Sequence, residues 1–127
     1  MDSVEVKSID SEAVRRATDA WAHRLLGDHP EIEEIVVFGS FARGTYAPGS
    51  DLDALIVLAQ SNKAFRDRIP EYLPDAFPVG LDLLPFTRDE IGESVPEGLL
   101  AEVRGSRWRY LRPGRSSALG RDGESSA

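Results

Sequence analysis

The chain has 127 residues, 41% of them hydrophobic, enough for one domain whose core holds a sheet and a few helices. Its 15 Lys and Arg against 22 Asp and Glu give a net charge of -7, which opposes a broad phosphate-backbone footprint, so direct DNA or RNA binding is not expected. There is no apolar run of about 18 residues, no basic-then-apolar leader over Met1–Lys7 and no cysteine. That excludes a membrane-spanning helix, a disulfide framework and a cysteine nucleophile, and it makes the cytoplasm the simplest location.

In chain order, Asp10 or Ser11 can cap a helix over Ser11–Leu26, where Ala13, Val14, Ala17, Trp21 and Leu25 recur at helical spacing. Gly27-Asp28-His29-Pro30 stops it. Ile32–Phe38 is a strand rich in β-branched residues, apolar on consecutive positions near its end and therefore expected to be central and covered on both faces. Gly39–Arg43 reads as a tight turn entering a short helix, Thr45–Ser50 as a loop, and Asp51–Ala59 as the second strand. Asn62–Leu73 is helix-like, with Phe65, Ile69 and Leu73 on one face and Pro70 bending or shortening it. Val79–Leu84 is a third strand; Thr87 and Glu90 form a capping-box pattern at the start of a short helix. Pro96–Val103 is a further helix and Arg107–Leu111 a short edge strand. From Arg112 the chain turns to Gly, Ser, Arg and Pro, so 112–127 reads as a disordered tail. Alternating strands and helices predict an α/β architecture around a largely central sheet.

The chemistry concentrates between the first two strands. Residues i and i+2 of a strand share a face about 6.5 to 7 Å apart, so Asp51 and Asp53 project together and repel. A divalent cation removes that repulsion, and magnesium prefers oxygen ligands of this kind, completed by substrate phosphates. Asp82, between Leu81 and Leu83, is a third carboxylate, costly inside an apolar strand unless paired or metal-bound. Gly39 lets an anion approach the backbone, Ser40 offers a hydroxyl and an N–H, and Arg43 lies one turn further on. Taken singly, each has an ordinary reading: a common turn, polar capping at a strand start, an exposed strand Asp, a surface Arg. His23 and His29 point to no metal site or triad. The joint order of strand, Gly-Ser turn, short helix, loop, Asp-x-Asp strand and later Asp outweighs those readings.

That order resembles the minimal nucleotidyltransferases of the polymerase β-like superfamily. The pattern here is Gly39-Ser40, ten intervening residues, Asp51-Leu52-Asp53, then Leu81-Asp82-Leu83, with Ala42-Arg43-Gly44 and Ser50 also similar to the family. The resemblance implies a mixed β-sheet flanked by helices, with 1–111 as the nucleotidyltransferase domain. It implies Asp51, Asp53 and Asp82 as catalytic carboxylates and magnesium ligands, two ions being expected. Gly39 and Ser40, with Arg43 and Ser50, would bind the nucleotide. The implied reaction is attack of a hydroxyl on the α-phosphorus of ATP with release of pyrophosphate. Small stand-alone members of this family pair with an all-helical HEPN ribonuclease toxin and act as antitoxins that transfer AMP to a toxin tyrosine, as in type VII-like toxin–antitoxin systems. Two alternatives stay open: an antitoxin that neutralises by binding alone, and a nucleotidyltransferase acting on a small molecule or nucleic acid with another subunit.

Overall fold

The structure is a computed structural model describing residues 10–119. Helix α1 (Ser11–Asp28) starts where the Asp10 carboxylate accepts from the Glu12 and Ala13 amides, both at 3.1 Å. It buries Val14, Thr18, Trp21, Ala22 and Leu25, the expected stripe, and runs two residues past Leu26. The chain continues as β1 (Ile32–Phe38), α2 (Ser40–Arg43), β2 (Leu52–Leu58), α3 (Phe65–Tyr72), β3 (Leu81–Thr87), α4 (Arg88–Ser94), α5 (Glu97–Gly105) and β4 (Arg109–Leu111).

The four strands form one sheet in the order β3-β2-β1-β4. β1 is antiparallel to both β2 and β4, whereas β2 and β3 are parallel, so the sheet is mixed as the resemblance implied. Side-chain alternation divides its apolar residues between two layers. Ile35, Val37, Ala54 and Ile56 pack with Trp21, Leu25 and Tyr72 of α1 and α3. Val36, Phe38, Leu55 and Val57 pack with Ile91 of α4, Val95 just after it and Val103 of α5. The two central strands are thus covered on both faces, which explains their consecutive apolar residues. Each of the Val, Leu, Ile and Phe side chains among them contributes about 1.5–3 kcal/mol on full burial.

Three expectations are corrected. Helix α3 is shorter than Asn62–Leu73, and its inward face is different: Arg68 and Tyr72 are buried while Leu73 is 44% exposed. The cause is pairing. The Arg68 guanidinium donates to both Glu90 oxygens at 2.7 and 2.9 Å and to the Pro85 carbonyl at 3.0 Å, and the Tyr72 hydroxyl donates to Glu31 at 2.8 Å. Strand β3 continues beyond Leu84 through Pro85 to Thr87, which is possible because it is an edge strand where a missing N–H goes unused.

The third correction concerns the tail. Residues 112–119 are folded against the body. Arg112 donates to the carbonyls of Ile32 and His29 at 2.9 and 2.8 Å, and Leu119 is buried. The anchor is Glu34, fully buried in β1. Its carboxylate is met by Arg109 at 2.9 Å, the Ser117 hydroxyl at 2.9 Å and the Ala118 amide at 3.1 Å. A buried carboxylate requires such partners, and two of them come from the segment expected to be disordered. The remaining part of that segment, 120–127, and residues 1–9 of the expected domain lie outside the described residues.

Candidate active site

Antiparallel pairing sets Phe38, the last residue of β1, opposite Asp53 near the start of β2. The chain must then turn directly over Asp53. Gly39 does so at φ 79 and ψ -157, a conformation side chains rarely adopt. A Cβ at this position would collide with the Asp53 carboxylate, so the carboxylate lies directly against the Gly39 backbone. Ser40 opens α2, and its carbonyl accepts from the Thr45 amide at 2.9 Å. Gly44, left-handed at φ 78, closes the turn.

Parallel pairing sets Asp82 of β3 directly beside Asp53. Both belong to the alternating positions that, further along their strands, carry Leu55, Val57, Leu84 and Phe86 toward α4 and α5. Asp53 is half-buried and Asp82 exposed. The cost expected for a charge inside an apolar strand therefore does not arise, because β3 is an edge and Asp82 faces outward. Asp51 precedes β2 and is exposed; its carboxylate packs against Gly80, where a Cβ would collide with it. It lines an open cleft of about 450 Å³ with Val14, Pro48, Ser50 and Gly80. The three aspartates thus occupy one end of the sheet, with Asp53 and Asp82 side by side and Asp51 on the flank. Among the described residues no three acidic or histidine side chains come close enough to form a metal-binding group.

The charge balance is nonetheless one-sided. The Asp53 carboxyl is pushed up to about 6, first by burial, then by Asp82, Asp51 and Glu102, with Arg43 opposing. Carboxylate oxygens are the ligand type that a hard divalent ion such as magnesium takes, and such an ion would offset the acidic neighbours that raise Asp53.

Two of the expected nucleotide-binding side chains have partners within the protein. The Ser50 hydroxyl accepts from the Ala47 amide at 2.9 Å and closes the loop before β2. The Arg43 guanidinium pairs with Glu102 of α5, and the same carboxylate oxygen accepts from the Gly39 amide at 2.9 Å. The pair lines an open cleft of about 760 Å³ together with Arg15, Phe41, Tyr46 and Trp108. Glu102 and Gly80 are site residues that the sequence reading missed. Glu102 stands 63 positions from Gly39, in an unremarkable helix with no local signal. Gly80 carried a signal, a glycine at a strand entrance, but its function depends on the parallel pairing that brings Asp51 against it.

A turn built against one aspartate, with two more carboxylates at the same sheet end, lies on a mixed-sheet α/β domain. The family model described as "Nucleotidyltransferase domain" matches residues 22–104, and this chain belongs to that family. A candidate nucleotidyltransferase from Sulfolobus solfataricus has the same fold: TM-score 0.51 at 20% identity, over 85% of this chain and 90% of that one. A toxin–antitoxin structure with AMP-PNP is similar at TM-score 0.49 and 19% identity, over 81% of this chain and 72% of that one. No curated protein sequence matches.

Proposed function

We propose that the chain is a magnesium-dependent adenylyltransferase that moves AMP from ATP to a tyrosine of a partner HEPN-type ribonuclease toxin, acting as the antitoxin in the cytoplasm. One observation carries the reading: Asp53 and Asp82 stand side by side in register, and Asp53 is packed on the Gly39 turn, so carboxylates and turn form a single unit. Family membership supplies the nucleotidyl transfer, and the resemblance to the minimal nucleotidyltransferases supplies the partner. No helix among the described residues is long and apolar enough to cross a membrane, which agrees with a protein partner in solution.

In this reading Gly39 and Ser40 seat the triphosphate, and Arg43 and Ser50 flank it. Asp51, Asp53 and Asp82 are the residues that would hold magnesium, and the ion would supply charge neutralisation at the phosphate oxygens. The acceptor hydroxyl attacks the α-phosphorus in line; a new P–O bond forms, the α–β bridging bond breaks, and pyrophosphate leaves. Asp82, the most exposed of the paired carboxylates, accepts the hydroxyl proton. In this reading the acceptor tyrosine belongs to the partner.

The test is transfer of label from α-labelled ATP to the partner. The Asp51→Asn, Asp53→Asn double variant is expected to lose about a hundredfold or more of the rate. Undiminished transfer by that variant would refute the assignment.

A further inference from the structure

The Gly39 amide and the Arg43 guanidinium are the two groups of the turn best suited to an anion, and both already hold one. The same oxygen of Glu102 accepts from the Gly39 N–H at 2.9 Å and pairs with Arg43. Glu102 belongs to α5, an element that contributes no other side chain to the turn's hydrogen bonds, and its side chain is one-third exposed. Val103, its neighbour, is the residue of α5 buried in the core, whereas Glu102 is turned toward the Gly39 turn. The long, flexible side chain can leave without disturbing the helix.

We propose that Glu102 is an internal stand-in for a substrate phosphate: a carboxylate that occupies the Gly39–Arg43 seat when no nucleotide is present and that a triphosphate displaces on binding. This rests on the nucleotide reading of the site given above. A carboxylate and a phosphate oxygen make the same charge-assisted hydrogen bonds to an amide and a guanidinium, and both cannot use them at once. The occupied seat lowers the fraction of binding-competent protein, so apparent affinity falls by that fraction. Displacement also frees Arg43, whose charge then turns from Glu102 to the incoming phosphates. Glu102 is thus a positioning residue that sets how tightly polyphosphate binds and when Arg43 is available.

Calorimetric titration of the wild-type chain, Glu102→Ala and the isosteric Glu102→Gln with magnesium ATP and with inorganic tripolyphosphate tests this. Tripolyphosphate isolates the phosphate seat from any contact with the base. Both variants are expected to bind both ligands roughly three- to tenfold more tightly than wild type. In an Arg43→Ala background most of that gain should disappear, because the charged one of the two contested groups is gone and only the Gly39 amide remains. Wild-type binding with no gain in either variant overturns the stand-in role while leaving the nucleotide site intact. A gain of equal size with and without Arg43 also overturns it, since Glu102 would then not be withholding Arg43 from the phosphates. No binding of either ligand by wild-type protein would overturn this inference and the proposed function together.

Discussion

Gly39 and Gly80 both make room for a catalytic candidate, but for different physical reasons. Gly39 combines φ 79 with a Cβ position filled by Asp53. Gly39→Ala should therefore destabilise the fold by about 1–3 kcal/mol and displace Asp53, seen as a lower melting temperature together with lost transfer. Gly80 has no such backbone constraint; its Cβ would meet only the movable end of Asp51. Gly80→Ala should remain within about 0.5 kcal/mol of wild type while reducing transfer, because Asp51 is pushed out of place. Equal transfer by wild type and Gly80→Ala in a protein of unchanged stability would mean that the position of Asp51 is unimportant. Gly39, in the Gly-Ser turn, was evident from sequence, whereas the importance of Gly80 emerges only once β3 lies beside β2.

At the scale of elements, α3 and α4 are joined by Arg68 and Glu90. Glu90 serves both helices: it takes two bonds from Arg68 and completes the Thr87 capping box by accepting from the Thr87 amide at 2.9 Å. Chiefly through the Arg68 bonds, its carboxyl is held at about 2, below the ordinary 4.5. A carboxyl with a depressed folded-state value adds stability above its unfolded value and loses it as pH falls. The contribution is complete above 4.5 and gone once pH drops below about 2. Urea melts of Glu90→Gln should show a deficit at neutral pH that closes over that window; a deficit constant with pH would exclude the ion pair as its source. The capping box was legible because its two residues are three apart. The Arg68 contact was not, since it spans 22 positions and inverts the apolar pattern that defined the expected face of α3.

For the molecule as a whole, the fully buried Glu34 ties β1 to the C-terminal part of the described sequence, drawing in Arg109, Ser117 and Ala118 from as far as 84 positions away. Arg109→Ala leaves a buried carboxylate without its cation and should cost about 3 kcal/mol, measured by denaturant unfolding. The sheet's central strands were legible because consecutive apolar residues record coverage on two faces. The folding of 112–119 was not, because its polar composition resembles a tail and its stabilising partner lies in β1. One further consequence attaches to the β1–β2 hairpin. The carboxylate Asp53 and the turn at Gly39 are fixed by strand register, while the connecting residues Thr45, Ala47, Pro48 and Gly49 are exposed and fastened at their base by Ser50 and Ala47. Lengthening such a loop costs little and grows only logarithmically with length. The rim that an acceptor would meet can therefore change in size and sequence while the register beneath it stays constant, so choice of acceptor and chemistry of transfer can evolve independently on one hairpin.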